Sequence, residues 1–458
     1  MIRPNLTARA AAVLLLAVPL SASLAACGGM RTPSLPKVFG GGEKKPRSKL
    51  KGERIPVLAL GDKLQPSDAL KDVGFQLPPA VQLREWPQPG GRPDHAVEHV
   101  QAAPELQIAW RHRFGPKPGA RGHVTAQPVV ADGRIYLMDG QAGVSALDLA
   151  TGRQVWKVNL APKKGRDREG YGGGIAVSEG RLFVTSGFRF VAALKVEDGS
   201  TIWRKDVETP VRGAPTVSGG RVYAVDATDQ LISYATADGA PGWTYQALEE
   251  PARLLRSSSP AVSGETVVAP FASGELTALQ AGNGTELWSF VLSLTSRNNA
   301  LSEIRDIAGR PVIYRGDVLA GSHSGVFAAV DLRSGQPRWS LPISTSTSPW
   351  PAGDVIYVVD QVGQLICISR EAGQVYWTAD LNKGVPNKRR PVWSGPTLAS
   401  DRILVVSSAG EVRALDPKDG KQVGSLKLKV KSAGSLSPVP VNGELLIATD
   451  DAELLAIR

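Results

Sequence analysis

His95-Ala96-Val97-Glu98-His99 has the spacing at which two histidines on one helical face hold zinc while the glutamate between them acts as a base. That chemistry needs a stable helix and a third ligand downstream. Here the motif follows the turn-rich run Trp86-Pro87-Gln88-Pro89-Gly90-Gly91-Arg92-Pro93 and precedes a short strand, so no helix is available to fix it. It reads as a coincidence in a lead-in segment. His112, His123 and His323 are single and dispersed. No serine sits in a nucleophile elbow, and the glycine run Tyr171-Gly172-Gly173-Gly174 lacks the lysine of a phosphate cradle, so it reads as close backbone packing. No catalytic residue, metal ligand or cofactor-binding residue is expected. The chain has two cysteines in 458 residues, and Cys367, inside Leu365-Ile366-Cys367-Ile368, reads as a buried, inert thiol.

The dominant pattern is a repeat. A turn ending in glycine, three variable residues and a tryptophan recur as Gly152…Trp156, Gly199…Trp203, Gly239…Trp243, Gly284…Trp288, Gly335…Trp339 and Gly373…Trp377. A seventh copy, Gly420-Lys-Gln-Val-Gly424, has lost the tryptophan. A period of roughly 40–50 residues is that of a propeller blade. Each unit reads as four short strands separated by Asp-Gly, Asn-Gly, Ser-Gly or Thr-Gly pairs, and no stretch sustains a helical period. The last unit, from Leu436 to Ile457, lacks a fourth strand, whereas Leu106–Arg113 is a tryptophan-bearing strand with no blade before it. Pairing the two closes the ring and removes an open edge. The expected fold is all-β, an eight-bladed propeller of four-stranded antiparallel blades over residues 105–458. Trp110, Trp156, Trp203, Trp243, Trp288, Trp339 and Trp377 are expected to pack between neighbouring blades.

Residues 1–27 read as an export signal. Arg3 and Arg9 supply the charged start, Ala10–Leu20 an apolar core too short to span a membrane, and Leu24-Ala25-Ala26-Cys27 resembles a lipobox. Cys27 would then carry the acyl chains and tether the mature protein without spanning. Residues 28–104 read as a flexible basic Pro/Gly-rich tether ending in the lead-in segment. The formal net charge is +10, but the basic residues of the repeats are scattered and lack interleaved aromatics, so no nucleic-acid partner is expected.

The unit Ala146-Leu147-Asp148-Leu149-Ala150-Thr151-Gly152-x-x-x-Trp156 resembles the tryptophan-docking repeat of the quinoprotein (PQQ-type) propellers, and Trp86-Pro87-Gln88 resembles the stretch that leads into their ring. Joined to a lipobox, and without an adjacent cysteine pair, the whole is similar to the BamB family of outer-membrane β-barrel assembly factors. That resemblance implies a non-catalytic scaffold without a cofactor, lipid-anchored at the periplasmic face of the outer membrane. Its implied partners are the POTRA domains of the insertase BamA, other subunits of the machine, and unfolded barrel precursors. The leucine-arginine loop of the family falls on Leu254, Leu255 and Arg256, and its acidic stretch on Asp306, with Ala308 where a second acid is usual. The bare sequence also keeps open a quinone-dependent dehydrogenase with a degenerate site, and a propeller lipoprotein of another envelope complex.

Overall fold

A computed structural model describes residues 64–116, 123–162, 170–250, 254, 258–293, 304–430, 432 and 436–458. They form eight four-stranded antiparallel sheets. In chain order the blades occupy residues 129–159, 173–206, 216–246, 261–291, 312–341, 350–380, 393–427 and, for the last, 439–457 joined by Ile108–Arg113. The hairpins are tight because the sequence supplies residues that accept positive φ. Asp132-Gly133 and Asn442-Gly443 have both central residues in the left-handed region, the turn whose twist matches the flanking strands. In the eighth blade Trp110 pairs with Ala456 and Arg113 with Glu453, so the N-terminal strand supplies the outermost position and joins the two ends of the ring.

Exposure runs outward along each blade. The inner strands, such as Val129–Ala131 and Val439–Val441, are wholly buried, whereas the outermost, such as Gln154–Asn159 and Thr201–Asp206, bury little besides their tryptophan.

That tryptophan docks on the next blade by one repeated geometry. A Cβ built on Gly199 would stand 2.8 Å from the Trp156 ring, one on Gly239 2.6 Å from Trp203, and one on Gly420 2.7 Å from Trp377. The same holds for Trp110 on Gly152, Trp243 on Gly284, Trp288 on Gly335 and Trp339 on Gly373. The indole N–H then donates to the carbonyl three residues before the glycine: Trp156 to Val196 at 2.9 Å, Trp203 to Thr236 at 3.0 Å, Trp288 to Leu332 at 2.7 Å. Trp110 makes no such bond. The glycines are needed twice over, for a left-handed φ near 70° and for room under a flat ring.

The same geometry accounts for the lost seventh tryptophan. The eighth blade is assembled from the two ends of the chain, so the position of its outer turn is taken by Leu106 and Arg458 and there is no turn glycine for an indole to cover. A Cβ at Gly424 would meet Leu106 Cδ1 at 3.4 Å, and Leu106 is buried. A leucine from the closing segment fills the place an indole holds elsewhere.

Residues 28–104 were expected to be a flexible tether and a lead-in segment. From about Leu64 the chain instead packs against the ring, with Trp86, Val97, Val100 and Ala102 buried. Residues 83–103 pass every blade in order. The amide of Val130 donates to Trp86 O, Val177 to Pro87 O, Val217 to Gln88 Oε1, Val262 to Pro93 O and Ile313 to Asp94 O, at 2.6–3.0 Å. In the sixth blade the equivalent inner position is Pro351, which has no N–H, and the neighbouring Trp350 indole donates to Glu98 O instead. Val100 N donates to Leu398 O in the seventh, and in the eighth Ala103 N donates to Gly443 O while Asn442 N donates to Leu83 O. Inner strands are sheet edges, and an edge leaves amides unpaired. One segment pairs with the inner edge of every blade around the ring, taking up amides in most of them.

Candidate partner-binding loop and channel mouth

The connection between the third and fourth blades is strapped down by carboxylates from the third blade, the fourth blade and the connection that follows the fourth. Leu248 N donates to Glu275 Oε2 at 3.3 Å, Glu250 N to Asp229 Oδ2 at 3.4 Å, and Leu254 N to Asp306 Oδ2 at 3.0 Å. Asp229 and Asp306 are buried, and the other oxygen of Asp229 accepts from Ala272 N at 3.0 Å, so each fixes backbone. Asp306 is itself held, its carbonyl accepting from His323 N at 2.9 Å. Leu254 is half-buried; Leu255 and Arg256 lie outside the described residues, as does Cys27.

The structure therefore brings Leu254 and Asp306 together and gives Asp306 an inward-facing role, holding the loop instead of offering an exposed charge. Leu248, 67 % exposed and beside Glu249, is an apolar surface residue on the same connection that sequence patterning did not single out. Its signal was available only as an apolar residue next to two acids at the end of an outer strand.

Ser258 and Ser259, which follow this loop, and Ala308–Arg310, which follow Asp306, turn into the mouth of the central channel. There they line a cavity of about 70 Å³ with Tyr171, Gly172, Gly173 and Arg212. The glycine run is packing after all. A Cβ on Gly174 would stand 2.3 Å from that of Ala214, and one on Gly173 2.3 Å from Thr185 O.

The residues of the zinc-like motif point apart. His95 Nδ1 donates to Pro311 O at 2.8 Å. His99 Nδ1 donates to Pro78 O at 2.8 Å while its Nε2 accepts from Asp401 N at 3.0 Å. Glu98 accepts from the Tyr314 hydroxyl and from Arg315. They anchor the lead-in segment, and no metal-ligating cluster occurs among the described residues. Burial, then the charge of Arg310, pushes the His95 imidazole down to about 3, against the pull of the Pro311 carbonyl. Cys367 is buried in the sixth blade with its thiol pushed up by burial, an unreactive state.

Eight blades, locked by indole-on-glycine contacts at every boundary but that between the seventh and eighth, define a propeller of the PQQ-like class. A family model described as "Outer membrane protein assembly factor BamB" matches residues 140–379 and 373–458, and one for the β-propeller domain of glucose/ethanol/alcohol dehydrogenases matches residues 99–178. The chain is 30 % identical to the outer membrane protein assembly factor BamB of Escherichia coli over 355 residues, covering 76 % of this chain and 88 % of the relative. To that of Salmonella typhimurium it is 30 % identical over 336 residues, covering 72 % and 83 %. Among solved structures, BamB from Moraxella catarrhalis superposes with a TM-score of 0.65 at 16 % identity, covering 77 % of this chain and 99 % of that one. The quinohemoprotein alcohol dehydrogenase of Comamonas testosteroni reaches 0.62 at 13 %, over 81 % and 77 %, a likeness of fold. This chain belongs to the BamB family of outer membrane protein assembly factors. Its role is that of an assembly factor and not of an enzyme. No helix among the described residues is long and apolar enough to cross a membrane.

Proposed function

We propose that this protein is tethered to the outer membrane through lipidated Cys27 and docks on the POTRA domains of BamA with the loop Leu254-Leu255-Arg256. The observation that supports the reading is the strapping of the connection that carries those residues, since Glu275, Asp229 and Asp306 accept from the amides of Leu248, Glu250 and Leu254. A connection held at such points before binding loses less conformational freedom when it meets a partner. Leucine and arginine on such a loop have the composition of an interface anchor. Tethering raises the effective concentration of a membrane-confined partner, so modest affinity suffices.

Barrel precursors fit a second surface. Each blade ends in an exposed outer strand, and the residue before the tryptophan is an exposed apolar one in several blades: Val155 at 48 %, Ile202 at 38 %, Leu287 at 51 %. An extended precursor strand can add to such an edge by main-chain hydrogen bonds, with apolar side chains meeting this row. Co-purification from membranes tests the main reading. Wild-type protein brings BamA with it and Arg256→Glu does not; equal recovery of BamA would move the interface elsewhere.

A further inference from the structure

We propose that the mouth of the central channel is a binding site for a small oxyanion, one phosphate- or carboxylate-sized group, held between Arg212 and Arg310. The site is distinct from the docking loop and does not depend on it.

Three observations converge. The cavity is lined by two guanidinium groups and by hydroxyl-bearing residues such as Thr125, Ser259, Ser348 and Ser437, and among the described residues none that lines it is an aspartate or glutamate. Arg212 is half-buried and has no carboxylate partner among the described residues, and its Nε is a buried donor without an acceptor. A buried donor left unsatisfied is costly, and an anion offers the acceptor that the protein does not. Finally, the cavity has a polar floor. The adjoining recess shares Gln127, Arg310, Ser348 and Ser437 with it, and there the donor Trp86 Nε1 is also buried without a partner. Trp86 is more than nine-tenths buried.

The size sets the ligand class. A volume of about 70 Å³ takes a few waters or one compact oxyanion. Forked guanidinium donors suit the planar carboxylate or the phosphoryl group, and the hydroxyls add neutral donors around it.

Calorimetric titration of the full chain with inorganic phosphate, and separately with acetate at constant ionic strength, reads the site. Saturable binding of one ion per chain is expected, weakened roughly tenfold or more in Arg212→Gln. Preference for phosphate assigns a phosphoryl group, and preference for acetate a carboxylate. The exposed Arg153→Gln control binds as wild type does. On the unmodified protein, phosphate slows phenylglyoxal modification of Arg212 and Arg310, mapped by mass spectrometry, which decides the matter even if the substituted chain does not fold. Absence of saturation by either ion, equal binding by Arg212→Gln, or modification indifferent to both ions would overturn the proposal.

Discussion

The main-chain amide of Leu254 donates to the buried carboxylate of Asp306 across the boundary between two blade connections, at 3.0 Å. The acid nominated by resemblance as a contact for the partner thus faces inward, and the leucine nominated beside it is what that acid holds. On the proposed docking, Asp306 would act on the partner through the loop.

Asp306→Ala is therefore expected to weaken POTRA binding about tenfold while leaving the ring folded, since the freed loop must be ordered on binding. Asp306→Asn keeps an acceptor oxygen and retains more of the affinity. Titration of purified POTRA domains with each variant checks the order; a surface-charge role would make Ala and Asn equally poor.

The docking of indole on glycine predicts unequal costs for the same substitution. Gly239→Ala must both hold a left-handed φ of 69° and push into Trp203, at a cost of about 3 kcal/mol or more. Gly264→Ala has φ of 56° but open space around its Cβ, and costs about 1 kcal/mol. Denaturation midpoints in urea compare the two.

Restoring the repeat where it fails should do harm. Gly424→Trp inserts an indole where Leu106 already packs and no turn glycine waits, and is expected to destabilise the chain by about 1–3 kcal/mol. Leu106→Ala opens the same site and costs about 2–5 kcal/mol. A stabilising Gly424→Trp would show that the slot is free.

His95 ties stability to pH. Its folded-state imidazole sits at about 3, below the ordinary value near 6.5, so only the unfolded chain takes up the proton between those limits. The stabilisation from keeping this ring neutral is fully present above about pH 6.5 and is lost as pH falls towards 3. The slope from this group is at most about 1.4 kcal/mol per pH unit. His95 has φ of 61°, which asparagine tolerates, and His95→Asn should flatten the decline between about pH 6.5 and 4.5, above the range where carboxylates take up protons. An unchanged slope by denaturant unfolding would assign the acid sensitivity to other groups.

The ring itself was legible in the sequence because its signals are periodic: glycine turns, alternating strands, and a tryptophan whose absence at 424 falls beside the unit that lacks a strand. The course of residues 83–103 was not. Its bonds to the blades are mostly main-chain, Trp86 O to Val130 N or Pro93 O to Val262 N, and backbone pairing leaves no side-chain signature. The one trace is proline at inner edges, Pro351 and Pro440 among them, where a missing N–H needs no partner. His95, Glu98 and His99 looked like chemistry because three polar residues that pin a winding segment to different neighbours can share the spacing of a metal site. Asp306 was found by resemblance, but its hydrogen bond to Leu254 N joins residues 52 positions apart, which no local pattern announces.

Calorimetric titration of the BamA POTRA domains into the full chain, wild type against Leu255→Glu and Arg256→Glu, tests the docking assignment most directly. Loss of roughly tenfold or more in affinity from each substitution, with unchanged melting of the propeller, is the predicted result. Affinity equal to wild type in both variants would contradict it.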